Sequence, residues 1–270
     1  MIGMSELNSM INILYEQYYK CYPYMERIPV NIEFTDDLTK KHLELRSDIK
    51  ERLIEEDIDS QQYFNGRMVP PYDITDNINI LLNTNKVIQY CNDGSFTWIG
   101  TFAHELTHAI DFYMMARKEN LKTYDTLQER SIYLMFQLWS EYHARKLGYN
   151  FLRKVLGVDE HTSCSRQERI DHIKNTEWPE HRKRHFEEYH QNRNGNNQMY
   201  ITMQLLGRYS VWCDLFPDNF NEDAFAIDFI SEAWMRHLFS FMRQHETLDA
   251  IYGNFDLMES IINENWLLGK

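Results

Sequence analysis

Basic charge is the first thing this chain lacks. Its 28 lysines and arginines face 41 aspartates and glutamates, a formal net charge of −13 over 270 residues. Nucleic-acid-binding surfaces carry a basic excess, so no nucleic-acid partner is expected. The acidity is compatible with neutral or basic peptide segments as partners. Cysteine is also sparse. Cys21, Cys91, Cys164 and Cys213 are scattered with no C-x-x-C pair, which suits reduced thiols in a large intracellular domain rather than a disulfide framework. No run approaches the roughly eighteen apolar residues of a membrane span. The opening MIGMSELNSMINILYEQYYK has no basic region followed by an apolar core, the pattern of a signal peptide. A soluble cytoplasmic protein with no membrane partner is the expectation, although secretion without a cleavable signal fits the same features. Internal repeats and long linkers are missing too.

Aromatics at 14% of the residues support a substantial core. A chain of this length makes one ordinary domain with two lobes, or two small ones. Residues 4–21 and about 36–57 read as helices, the second opening at Thr35-Asp-Asp with acids in its first turn. Between them Ile28–Phe34 alternates apolar and polar and reads as a strand. Gly66 and Pro70-Pro71 mark a loop. Two further strands are expected over about Asn77–Leu82 and Lys86–Cys91, separated by the turn-like Asn83-Thr-Asn85. Asn92-Asp-Gly94 then turns the chain into the next helix. After Gly148 the chain reads as helical, over about 149–156, 165–191, 198–214, 222–245 and 254–267. Trp178-Pro179 is a candidate break, and Asn192–Asn197 is the clearest internal loop.

The richest segment is Thr101-Phe-Ala-His-Glu-Leu-Thr-His-Ala-Ile110. No proline interrupts it, and Glu105 is its only formal charge. Apolar residues cover much of the helix circumference, so the helix is expected to be buried. Its polar stripe is Thr101, His104, Glu105, His108 and Asp111, and burying those groups unpaired would cost a few kcal/mol each. Residues four apart in a helix share a face, with Cβ atoms about 5–6 Å apart. His104 and His108 can therefore reach one metal ion, with Glu105 beside them as general base. That is the H-E-x-x-H arrangement of a hydrolytic zinc site. The competing reading is a chance pattern whose histidines hydrogen-bond to neighbours.

A catalytic zinc takes three protein ligands and keeps one position open. The metzincin pattern would supply a third histidine through H-E-x-x-H-x-x-G-x-x-H, but Asp111 and Met114 occupy the Gly and His positions. The segment Leu127–Leu147 offers Glu141 instead, on a helix expected to run about twenty residues and end at Gly148 as its C-cap. Leu134, Leu138 and Ala144 make the face around Glu141 apolar, so its carboxylate needs a cation. An i,i+4 ion pair with Arg145 is the alternative. Asp111 is assigned to support a ligating histidine from outside the coordination sphere, as carboxylates often do. Direct ligation and a salt bridge to the N-terminal part of the chain remain open for it.

HELTHAID followed thirty-odd residues later by SEYHARKLG resembles a zinc metallopeptidase of the gluzincin kind, in which a glutamate on a following helix completes the site. HELTH is similar to the zinc helix of the thermolysin group. Glu141 with Ala144 resembles the ImmA/IrrE-like bacterial and phage peptidases, and HA-I-D-x-Y resembles lethal-factor-like toxins. The matching motifs span about Asn77–Gly148, and Arg145 stands where the thermolysin group carries an Asp. The resemblance implies His104, His108 and Glu141 as zinc ligands and Glu105 as base. It also implies an α+β, predominantly helical, zincin-like metallopeptidase fold occupying 1–270. Its upper lobe would hold a small sheet and span about 1–119, including the H-E-x-x-H helix; a helical lower lobe would span about 120–270.

The expected activity is zinc-dependent hydrolysis of peptide bonds in a protein or peptide substrate. The alternative is a non-catalytic binding or regulatory protein that retains a structural zinc site. His143, Tyr142, His237, His245 and Tyr252 are all chemically able to stabilise an oxyanion, and sequence does not choose among them. His181 and His185 are spaced i,i+4 but flank Arg182, Lys183 and Arg184, which reads as a solvated helical face. His161 and Cys164 lack a second pair and read as loop. The aromatics of Phe225–Phe241 read as core.

Overall fold

A computed structural model describes residues 3–49, 65–157, 165–192, 194–229 and 232–268. Its contacts divide the chain into two compact units, Met1–Arg130 with Asn150–Leu152, and Ser131–Tyr149 with Arg153–Lys270. Helices predominate, with one three-stranded sheet. Among the described residues no helix is long and apolar enough to cross a membrane.

The first unit starts with helix α1, Met4–Cys21, where Leu7, Ile11, Leu14 and Tyr18 form a buried stripe at helical spacing. Strand β1, Val30–Thr35, follows, and then helix α2, Leu38–Leu45, capped by the Asp37 side chain accepting from the Lys40 N–H. The helix expected to about residue 57 thus ends at Leu45, and its remainder from residue 50 lies outside the described residues. Strands β2, Gly66–Val69, and β3, Ile78–Asn83, complete a sheet of order β1-β3-β2. β3 is parallel to β1 and antiparallel to β2. Its Ile78, Ile80, Leu81 and Leu82 are all fully buried, the near-continuous apolar run of a strand covered on both faces.

Two readings around this sheet are corrected. Lys86–Cys91 is not a strand but part of helix α3, Thr84–Asn92. The Asn83 side chain accepts from the Lys86 N–H and caps that helix, so the Asn83-Thr-Asn85 signal starts a helix rather than turning a hairpin. Gly66 does not mark a loop; it opens β2. A Cβ there would lie 2.9 Å from Thr101 Cγ2 and 3.2 Å from the Leu81 carbonyl oxygen. Its glycine is a demand of close packing.

Helix α4, Thr97–Lys118, contains the H-E-x-x-H segment. The short helix α5, Tyr124–Gln128, precedes helix α6, Tyr133–Leu156. Helix α6 runs straight through Gly148 and ends at Gly157, which is left-handed at φ 60°, a common helix terminus. An interior glycine costs about 1 kcal/mol against alanine; here Leu147 and Phe151, both buried, flank it.

In the second unit, α7 (Arg166–His172) and α8 (Trp178–Gln191) are joined by a π-helical turn at Ile173–Glu177. The expected break at Trp178-Pro179 takes this form, because Pro179 in the first turn of α8 has no N–H to donate. Then come α9 (Gly195–Leu215), α10 (Glu222–Asp228), α11 (Ala233–Gln244), α12 (Leu248–Ile251) and α13 (Phe255–Leu268). Helix α9 begins within the expected loop, with Asn194 as its cap. The single helix expected over 222–245 is two. Phe225 packs its ring 4.6 Å from that of Phe229 and 4.4 Å from that of Phe239, in keeping with the core reading of these aromatics.

His181 and His185 do not form a solvated face. His185 is buried, and the His181 ring stacks on Trp212 at 5.8 Å. Of the basic residues between them, Lys183 is exposed, Arg182 pairs with Asp228 at 2.7 Å, and Arg184 lines a pocket together with both imidazoles. Cys21, Cys91 and Cys213 are free thiols; His161 and Cys164 lie outside the described residues.

Replacing Gly66 with alanine should destabilise the chain by about 1–3 kcal/mol, the usual cost of overpacking, because β2 must move off α4. Denaturant unfolding checks this, and an unchanged midpoint would remove the packing demand. Acid should also destabilise. Burial holds the His42 and His185 imidazoles down at about 4 from an ordinary 6.5. Both are neutral when folded and bind protons more readily when unfolded. Stability present above pH 6.5 is therefore lost as pH falls toward 4, on the order of 1 kcal/mol or more per site. Urea midpoints between pH 7 and 4.5 should fall less in His185→Gln than in the wild type.

Candidate metal centre

Helix α4 is buried on most of its circumference. Trp98, Phe102, Leu106, Ala109 and Ile110 are all inaccessible or nearly so. Its polar side chains must therefore find partners within the protein. Thr107 is fully buried; its hydroxyl donates to the Ala103 carbonyl at 2.7 Å and accepts from the Tyr18 hydroxyl at 2.8 Å. This bond fixes α4 against α1. Neither residue stood out in the sequence. A buried Thr facing a Tyr eighty-nine positions away leaves no local signal.

His104 and His108 lie on one face of α4, His104 buried and His108 partly so. Their Nε2 atoms are 3.1 Å apart and the rings meet edge to face at 4.5 Å. Glu141, on α6, is buried as well. One ligand atom from each of His104, His108 and Glu141 lies within 4.8 Å of the others, an arrangement that could hold a metal ion. The fit is good on two counts. Two imidazole nitrogens and a carboxylate oxygen form a donor set common among transition-metal sites. Nitrogens bound to zinc at roughly 2.0–2.1 Å would be about 3.3 Å apart at a tetrahedral centre, and the observed spacing is close to that. A hydrogen bond between one protonated and one bare ring nitrogen would also suit 3.1 Å.

Both sequence readings of Glu141 find a counterpart. It belongs to this cluster, and Arg145 Nη2 lies 3.6 Å from its Oε1. That distance makes Arg145 a Coulombic neighbour rather than a hydrogen-bonded fork. Asp111 is buried one turn beyond His108 and is not one of the clustered groups. Its charge adds to the burial that pushes the Tyr18 hydroxyl well above its ordinary range, burial being the larger cause.

Glu105 sits beside His104, outside the cluster. Its Oε2 accepts a hydrogen bond from the Met68 backbone N–H at 2.8 Å, in β2. Sequence reasoning missed Met68, because the four-residue strand that presents it carries no alternating pattern. The oxyanion candidates have the following surroundings. Tyr142 bonds to Ser210 at 2.7 Å and to Glu246, His143 stacks on Trp139, His237 faces Glu264, and His245 Nδ1 contacts the Phe241 carbonyl. Tyr252 is half-buried.

No family model, no curated protein and no solved structure matches the chain. The resemblance therefore rests on the motif residues themselves.

Titrating metal-free chain with zinc should raise its melting temperature at one equivalent. His104→Ala and His108→Ala should abolish the effect, and Glu141→Ala should weaken zinc binding sharply. Asp111→Asn should weaken it less, about 10–100-fold as for an outer partner. Equal zinc binding by wild type and His104→Ala would remove the cluster as a metal centre, and a stronger loss in Asp111→Asn than in Glu141→Ala would exchange their roles.

Proposed function

We propose that the chain is a zinc-dependent metallopeptidase of zincin-like fold that hydrolyses peptide bonds in a protein or peptide substrate. The carrying observation is the convergence of His104, His108 and Glu141, with Glu105 next in sequence to His104. When bound, the metal supplies a Lewis acid that lowers the pKa of water to about 7 and polarises a carbonyl. Glu105 takes the proton from the attacking water and returns it to the leaving amine. The Met68 N–H aims the Glu105 carboxylate and holds it in one rotamer.

An extended substrate would pair with β2. β3 cannot serve, since it is hydrogen-bonded on both edges, and Lys86–Cys91 is helical. The Asn83 N–H bonds to the Asn65 carbonyl at 2.9 Å. Antiparallel alternation then turns the Arg67 and Val69 backbone toward β3 and that of Gly66 and Met68 away from it. The outward edge adjoins Glu105, and strand addition there would bring a peptide carbonyl beside the base.

The hydrogen bond to Met68 also favours a second reading, a non-catalytic binding protein in which Glu105 is a structural acceptor. Glu105→Gln separates the two. The amide oxygen still accepts from Met68 N–H, so melting temperature and zinc content should stay near wild type. The amide cannot carry the proton, so cleavage of a peptide library should fall by about 10²–10⁴-fold. Unchanged cleavage would take Glu105 out of the reaction. A wild type that binds zinc and cleaves no peptide would favour the binding protein.

A further inference from the structure

Helices α8 and α9 pack so that His181, Arg184, His185, Glu188, Gln204 and Arg208 line one pocket of about 100 Å³. That is room for several waters, enough for a small tetrahedral ion. Its charged lining is two guanidiniums, Arg184 and Arg208, against one carboxylate, Glu188, a net positive pocket in a chain whose net charge is −13. Among the described residues neither Arg184 nor Arg208 makes an ion pair. Arg208 is half-buried and donates to a neutral acceptor, His181 Nδ1, at 2.9 Å.

Guanidinium groups do not lose their charge in proteins and are not normally buried without an anion. The strain of this arrangement is visible in its neighbours. Burial, and then Arg145 and Arg184, hold the Arg208 guanidinium down at about 10. Burial, Arg208, Arg184 and Arg145 hold His181 at about 3. His181 therefore stays neutral, and since Nδ1 accepts from Arg208, its Nε2 carries the hydrogen and can donate.

His185 provides a second, independent observation. It is 4% exposed, and its Nε2 contacts Thr202 Oγ1 at 3.2 Å. That hydroxyl donates its proton to the Gln198 carbonyl, so it accepts from His185. Nδ1 is then the bare nitrogen, and it is buried with no hydrogen-bond partner. The pocket thus combines two guanidiniums and a donor imidazole with an acceptor that needs an O–H; the Glu188 carboxylate also lines it and offsets one of the two positive charges.

We propose that this pocket is a binding site for a phosphate group, free or as a monoester. Arg184 and Arg208 would hold its charged oxygens, and His185 would accept from a protonated one. Arginine forks match the planar pairs of phosphate oxygens, and charge-assisted bonds of this kind are the strong ones.

Isothermal titration of the full chain with inorganic phosphate, at matched ionic strength in chloride, tests the site. A parallel titration with phosphoserine distinguishes a free ion from a monoester. One phosphate per chain is expected, with affinity falling about ten-fold or more in Arg184→Ala and in Arg208→Gln, the loss of one charge-assisted bond. Arg184 is exposed, so its variant stays informative if Arg208→Gln does not fold. Because phosphate can also bind a metal, His104→Ala is titrated alongside, and retained binding there assigns the ion to this pocket and not to the metal centre. Absence of saturable binding to the wild type, full affinity in Arg184→Ala, or loss of binding in His104→Ala would each overturn the proposal.

Discussion

The burial of helix α4 is the constraint on which the rest of the first unit depends. Twelve of its twenty-two residues are buried, and three of those twelve are His104, Thr107 and Asp111. Each buried polar group left unmet would cost on the order of 1–3 kcal/mol, so the surrounding elements are placed to meet them. Tyr18 brings α1 to Thr107, and Met68 brings β2 to Glu105. Gly66 allows that approach, since any side chain would strike Thr101 on α4. The sheet matters for the same reason. β3 buries four apolar residues and carries β2 as a short edge strand into reach of the carboxylate beside His104.

The second unit solves a different problem with similar residues. Its interior is aromatic: Trp178, Tyr209, Trp212, Phe225 and Phe239 pack ring against ring at 4.4–6.1 Å. Burial against this core holds His181 and His185 neutral, and at His181 the neighbouring arginines add to the effect. Spacing alone does not distinguish His181 and His185 from His104 and His108, as both pairs are i,i+4 on a helix. Neighbours do. Three basic residues stand between the first pair and Arg208 faces it, whereas Glu105 stands between the second pair and Glu141 joins it.

Much of this was legible in the sequence where periodicity is strong. Helix α1 was readable at both ends, and α4 was visible as a buried helix with a polar stripe. The clustering of Glu141 with the two histidines was inferred from the apolar face around its carboxylate, and the three groups do come together. Failures came where a residue's local signal has two physical uses. Asn83 serves a helix cap as readily as a turn. Gly148 suits a helix end, but buried neighbours on both sides kept the helix going. Gly66 marks close packing rather than a bend. The arginine pocket was hidden for another reason: α8 supplies Arg184 and α9 supplies Arg208, and the run of charge on α8 looked like solvent-facing surface until the second helix was in place.

Glu141 shows how tightly the candidate centre is constrained. Its side chain is 8% exposed, and Arg145 stands at 3.6 Å with its own side chain 26% exposed. An ion pair of that geometry neither saturates the carboxylate oxygens nor orients them, because useful hydrogen bonds to carboxylate lie nearer 2.7–2.9 Å. Arg145 can draw negative charge to this part of α6 without deciding where the oxygens point. Two imidazole nitrogens within 4.8 Å of a Glu141 oxygen add a directional demand that a lone guanidinium at this distance does not. The two imidazoles can share with that carboxylate an ion that offsets its charge. The arrangement of His104, His108 and Glu141 could thus hold a cation between three donors, with Arg145 as a Coulombic neighbour.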